Sequence, residues 1–294
     1  MKIEEGYMPF KGFKTYYRIV GERTPGKVPL ILLHGGPGST HNYFEVLDGL
    51  AEGGRQLVMY DQLGCGNSYV EGHPELWHVE TWDEELIALR EHLGLDECHL
   101  LGQSWGVMLA LEYVINYRPA GVKSLILSSG LASVKLWASE QHRQMKLVLT
   151  PDEQQAVLDA EATGDYTGEA YNRALDKFML AFCDGPVTVD SPECLRRPKR
   201  SGREAYLATQ GENEFGATGS FVGWEYADRL GEIEQPSLVI DGTNDLCTPL
   251  IAKQLYDGIP DARWELFAGC RHMCFVEAPD KYRALVTAWM DEHD

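Results

Sequence analysis

The chain has 294 residues, 44% hydrophobic and 10% aromatic, enough to bury one large α/β core with an insertion or two modest domains, and too apolar for a disordered protein. Its 45 acidic against 26 basic residues give a formal charge of −19, a field that repels nucleic acid and anionic lipid surfaces but is gentler on a cationic small molecule. The acidic start Met1-Lys2-Ile3-Glu4-Glu5-Gly6, the lack of any span-length apolar window and seven cysteines without paired spacing lead us to expect a cytoplasmic protein with reduced thiols, no membrane partner and no zinc site.

Gly12 to Val20 alternates loosely, as an early antiparallel edge strand would. A turn over Gly21 to Lys27 leads to a short buried strand, Val28 to Leu33, which runs into His34-Gly35-Gly36-Pro37-Gly38-Ser39. Glycines around a proline let the main chain approach a ligand with its N–H groups free, as half of an oxyanion hole requires. His34, just before this loop, reads as structural. Helix-compatible residues follow from His41 to Ala51, and Gln56 to Tyr60 is a second strand ending in the polar loop Asp61-Gln62-Leu63-Gly64-Cys65-Gly66-Asn67-Ser68. Thr81 to Leu93 is an amphipathic helix with Thr81 as cap and Glu84 three residues later.

The apolar run His99-Leu100-Leu101 then meets Gly102-Gln103-Ser104-Trp105-Gly106, the G-x-S-x-G pattern, and continues as a helix. A serine at the apex of a strand-turn-helix has a strained backbone, and both flanking glycines are needed because side chains there would collide with the adjoining strand and helix. Ser104 is the candidate nucleophile. The Trp105 N–H, at a helix N-terminus, is a candidate oxyanion donor, paired with Gly36. His99 reads as a hydrogen-bonded strand residue.

The helix from Trp105 ends near Tyr117-Arg118-Pro119, and Val122 to Leu127 is the next strand. Strands alternating with helices imply right-handed crossovers and a mostly parallel sheet flanked by helices, with the site at the strands' carboxyl ends. From Leu131 to Leu230 no buried strand is evident. Helices are expected at Val134 to Leu149, Pro151 to Thr163, Glu169 to Ala181 and Gly202 to Ala208, so residues 131–230 read as a helical cap inserted in a core of residues 1–130 and 231–294. The basic run Arg196-Arg197-Pro198-Lys199-Arg200 reads as an exposed loop. The sheet resumes at Ser237 to Gly242, followed by Asn244-Asp245. Trp264 to Phe267 is the last strand, followed by His272, and Pro279 to Met290 closes the chain as a helix.

Ser104, Asp245 and His272 stand in the Ser…Asp…His order of a hydrolase triad, each just past an expected strand. In that arrangement His272 takes the proton of Ser104, and Asp245 fixes the imidazole and stabilises its cation. Asp241 and Glu277 are other candidates for the acid. Cys65, Cys247, Cys270 and Cys274 fall near the expected cleft, but their spacing marks no nucleophile.

With these motifs in hand, the chain resembles the proline iminopeptidases and their relatives, including tricorn-interacting aminopeptidase and bacterial L-amino acid amidases, within the α/β-hydrolase fold. The matching residues are His34 to Gly38, Tyr60 to Ser68, Gly102 to Gly106, Asn244-Asp245, His272, and in the cap Gly211-Glu212-Asn213-Glu214-Phe215 with Gly219 and Trp224. The resemblance implies a cis peptide before Pro37, an oxyanion hole at Gly36 and Trp105, substrate contacts at Gly35, Glu214 and Trp224, and Glu214 as a ligand of the substrate's α-ammonium. Two positions depart from the pattern. Leu246 stands where several relatives carry a second acid, and Val107 where a small residue is common, which is expected to crowd the first helical turn and so narrow the pocket behind Ser104.

The first expectation is thus a metal- and cofactor-independent serine hydrolase that releases an N-terminal proline or small apolar residue from short peptides or amino acid amides. A carboxylesterase or N-acyl amide hydrolase on the same triad, favoured by Leu246, is the second. The third is a non-catalytic binding protein of the same fold. Oligomeric state is not legible.

Overall fold

The computed structural model describes residues 1–294. Its strands are β1 (Ile3–Phe10), β2 (Phe13–Val20), β3 (Leu30–Leu33), β4 (Leu57–Tyr60), β5 (Cys98–Gln103), β6 (Val122–Ser128), β7 (Ser237–Gly242) and β8 (Ala262–Phe267). They form one sheet in the order β1-β2-β4-β3-β5-β6-β7-β8. Only β2 runs against the rest, being antiparallel to both β1 and β4, while every other pairing is parallel. The expected parallel sheet is present, with one correction at its start. Gly12 to Val20 does not supply the edge, because β1 pairs along its whole length with β2 and takes that position. Of β1 only Met8 is buried, which leaves a solvated strand with no apolar alternation to read.

The central strands are apolar on both faces because both are covered. In β3, Leu30 and Leu32 join one core with Phe44, Leu47, Tyr282, Val286 and Trp289, whereas Ile31 and Leu33 join the opposite core with Trp82, Leu86, Leu89 and Val107. The first core is closed by the tight helical segment His41–Gly53 and by the last helix. The second is closed by α1 (Val79–Leu93) and α2 (Trp105–Glu112). The start of α1 corrects the expected cap: the helix begins behind His78, and the Thr81 side chain, buried inside the first turn, meets the His78 ring instead. Gly94 ends α1 in the left-handed conformation that glycine adopts without penalty.

Between β6 and β7 lie α3 (Val134–Val148), α4 (Pro151–Thr163), α5 (Glu169–Phe182), α6 (Glu193–Arg196) and α7 (Arg203–Thr209). The start of α4 is a full capping box, Thr150 and Glu153 each accepting the other's backbone N–H, with Pro151 in the first turn. These helices own a small core around Val157, Phe178 and Phe215. The chain returns through α8 (Pro249–Gly258), α9 (Cys274–Glu277) and α10 (Pro279–Glu292). No helix is long and apolar enough to cross a membrane.

Candidate active site

Ser104 sits between β5 and α2 with φ 56° and ψ −120°, a strained backbone for a residue with a side chain. The two glycines around it are forced. A Cβ on Gly102 would stand 2.3 Å from the Gly106 carbonyl oxygen, and one on Gly106 would stand 2.0 Å from that of Leu33. Trp105 is the first residue of α2, so its N–H has no intrahelical partner, and the Gly36 N–H is likewise not spent on the backbone. The Gly36-Pro37 peptide is cis. Gly35 donates its N–H to the buried Tyr43 hydroxyl at 2.5 Å, and that hydroxyl donates to Gln103 at 2.9 Å, which ties the glycine loop to the serine turn.

His272 and Asp245 meet as expected from their order: the imidazole Nδ1 lies 2.7 Å from Asp245 Oδ1, and both residues are buried. Asp245 also accepts the backbone N–H groups of Cys247 and Gly242, so its carboxylate is held by three donors. Ser104 and His272 face one cavity of about 290 Å³, without a direct hydrogen bond between them. The other candidates for the acid lie elsewhere: Asp241 accepts from Trp264 Nε1, and Glu277 pairs with Arg271.

The helices between β6 and β7 hold the same loops. Gln144 and Gln141 donate from α3 to the carbonyls of Asp245 and Leu246, and Thr248 donates to Glu140. The end of α5 offers the Phe182 carbonyl to the Leu246 N–H, and the Phe182 and Cys183 carbonyls to the His272 N–H. The exposed basic run acts as a strap. Gly202 donates to the Gly38 carbonyl, Gly66 donates to that of Arg200, and Arg197 forms an ion pair with Glu45 of the core. The Gly38 and Gly202 backbones touch closely enough that a Cβ on Gly38 would lie 2.5 Å from the Gly202 oxygen.

Glu214 lines the cavity, half-buried, and accepts a hydrogen bond from Tyr206 at 2.6 Å. Burial raises its carboxyl above the ordinary range, against the pull of that hydrogen bond. Its neighbours explain the motif. Asn213 accepts the Phe215 N–H and donates to Glu161, forming the turn, while Phe215 is buried against Phe178, so the glutamate between them is turned to the cavity. Gly35 also lines the cavity. Trp224 does not: its indole donates to Glu112 and stacks on Tyr226, a structural position that removes it from the expected substrate contacts.

Val107 does not narrow the pocket either. Its side chain fills the space left by Gly130, where an added Cβ would lie 2.2 Å from that of Val107. Leu246 does line the cavity, as an apolar wall. Of the four cysteines expected at the cleft only Cys247 lines it, joined by Cys183, and burial raises both thiols, which disfavours a thiolate. Cys65 instead packs beside His34, and Cys270 and Cys274 lie in the core under α10. His34 and His99 are the structural residues expected. Burial lowers each to about 4, and they bond to Gln62 and Ser124 respectively. Tyr206, Trp137, Phe221 and Asp184 complete the walls, none of which local sequence marked.

Comparison with known proteins gives three results. The family model described as alpha/beta hydrolase fold matches residues 28–279. A protein named proline iminopeptidase from Clostridioides difficile (strain 630) is 63% identical over the whole of both chains. Among solved structures, the proline iminopeptidase of Mycobacterium smegmatis superposes with a TM-score of 0.87 at 31% identity, covering 99% of this chain and 98% of that one. VinJ does so with a TM-score of 0.88 at 32% identity, covering 99% of each.

Proposed function

Since this chain belongs to the proline iminopeptidase family of α/β-hydrolases and is therefore a hydrolase, we propose that it releases an N-terminal proline or small apolar residue from short peptides, or hydrolyses L-amino acid amides, through an acyl-enzyme on Ser104. The observation that carries this reading is Glu214. A carboxylate withdrawn from water, with one tyrosine as its hydrogen-bond partner, sits in the same cavity as the serine. A substrate α-ammonium would supply the missing charge, and internal peptide bonds, lacking that ammonium, would be refused.

In the first half of the reaction Ser104 Oγ bonds to the substrate carbonyl carbon while its proton passes to His272, whose cation Asp245 stabilises. The carbonyl oxygen becomes an oxyanion between the N–H groups of Gly36 and Trp105. The carbon–nitrogen bond then breaks and His272 returns the proton to the departing amine. Water, activated by the same histidine, cleaves the ester in the second half. Met108, Leu131, Val134, Trp137 and Phe221 give the acyl side apolar walls that suit a pyrrolidine ring.

The test is a hydrolysis panel of prolyl and alanyl anilides, their N-acetylated counterparts and a short-chain ester. Free-amine substrates should turn over, and acetylation should abolish it. A preference for acetylated amides or for the ester would instead favour the esterase reading, for which the apolar Leu246 is the observation. Failure of a fluorophosphonate to label Ser104 in the folded protein would exclude both.

A further inference from the structure

We infer that a second cavity, adjoining the one that holds Ser104 and His272, receives the leaving part of the peptide, and that Lys199 there binds the free carboxylate of a short substrate. The inference rests on the peptidase reading above. This cavity, about 230 Å³, shares Tyr43, Asp184, Lys199 and Met273 with the one that holds Ser104, so the two adjoin. Its position follows the chemistry. The departing nitrogen takes its proton from His272 and must lie on the histidine's side of the scissile bond, and the second cavity is walled by Arg271, Met273 and Val276 from that same loop and α9.

Its charges identify the ligand. The Arg271 guanidinium is paired with Glu277, to which its Nε donates at 2.7 Å, and it also donates to the Leu180 carbonyl. Lys199 enters no salt bridge, and its ammonium lies 5.8 Å from the centre of the Tyr43 ring. It is the spare cation of a cavity in a chain of charge −19, whose overall field would turn a carboxylate away. Asp184, on the same wall, opposes it. A peptide with its ammonium near Glu214 and its acyl carbon at Ser104 would extend its leaving part past His272 toward the wall where Lys199 lines both cavities.

The experiment compares kcat/KM for prolyl-alanine and prolyl-alanine amide, which share the scissile bond and differ in one charge. The wild type should prefer the free acid about three- to fivefold, the range of a partly exposed ion pair, and 0.5 M salt should collapse the preference. Lys199→Gln should bring the ratio near unity and Lys199→Glu should invert it. Asp184→Asn should raise it. Because each ratio is taken within one protein, damage to folding cancels. A wild-type preference for the amide, or a ratio unmoved in Lys199→Gln and Lys199→Glu, would overturn the inference while leaving the peptidase reading intact. If the wild type cleaves neither dipeptide nor any prolyl anilide, both fall together.

Discussion

Seen from the cavity, the sheet and the helices between β6 and β7 contribute in different ways. The sheet presents loops hung from parallel strands, and their backbones are fixed by contacts that only glycine permits, at Gly102 and Gly106 around Ser104. The segment between β6 and β7 presents side chains instead: Glu214 beside Phe215 of the small core, Tyr206 on α7, and Trp137 and Phe221, which pack into the large core with α2. Under the proposed function, bond-making falls to the first kind of support, where a backbone shift has nowhere to go. Under the same proposal, recognition of the substrate falls to the second, through side chains rather than main chain.

Substitutions on the two sides should separate these roles. On the sheet side, Ser104→Ala should reduce kcat about ten-thousandfold or more for every substrate, with the melting transition retained. On the helix side, Glu214→Gln should lower kcat/KM about thirtyfold or more for free-amine substrates and much less for an ester, the loss expected when one member of a half-buried charge pair is removed. Equal losses on both substrate types would erase the distinction between the two supports.

Stability can be tested on the sheet side alone. Gly130→Ala forces a Cβ into Val107 and should destabilise the core by ~1–3 kcal/mol in urea titration, and adding Val107→Ala should recover much of that loss. Additive losses would mean that the two residues do not share that space. Smaller still is Asp83, buried on α1, which burial and then the nearby Glu112 push up to about 8, and one of whose oxygens lacks a hydrogen-bond partner. An acid whose folded pKa lies above its unfolded value costs stability progressively as pH rises from about 4 to about 8. Asp83→Asn should therefore raise stability at pH 8 by on the order of 1 kcal/mol, read as a higher Tm, and the gain should vanish near pH 4.

The sheet side was also the more legible. Gly102, Ser104 and Gly106 carry their geometry in their identities, because steric exclusion within one turn dictates them. Asp245 and His272 followed from chain order and from lying just past strands. What the sequence concealed was long-range or solvated. β1 has acids and a glycine where a strand pattern would show alternation, and it is held by pairing with β2 rather than by burial. The partner that makes room for Val107 is Gly130, distant in sequence and visible only once α2 lies against the end of β6. Trp224 was drawn toward the substrate by the motif around it, yet its indole finds Glu112 on α2, and nothing local announces that. Tyr206 and Asp184 line the cavity because separate helices converge there, which depends on packing and not on any spacing along the chain.

The carbonyls at the end of α5 bear on how this architecture could be re-engineered. Phe182 and Cys183 bond directly to the main chain of His272, and Phe182 also to that of Leu246, so part of what holds the histidine belongs to the helices between β6 and β7. Grafting residues 131–230 wholesale from a relative would therefore transplant the histidine's supports along with the specificity. A graft whose junctions leave Phe182 and Cys183 in place, and exchange the chain only beyond them, would change the cavity walls while keeping the original bearings of the His272 loop.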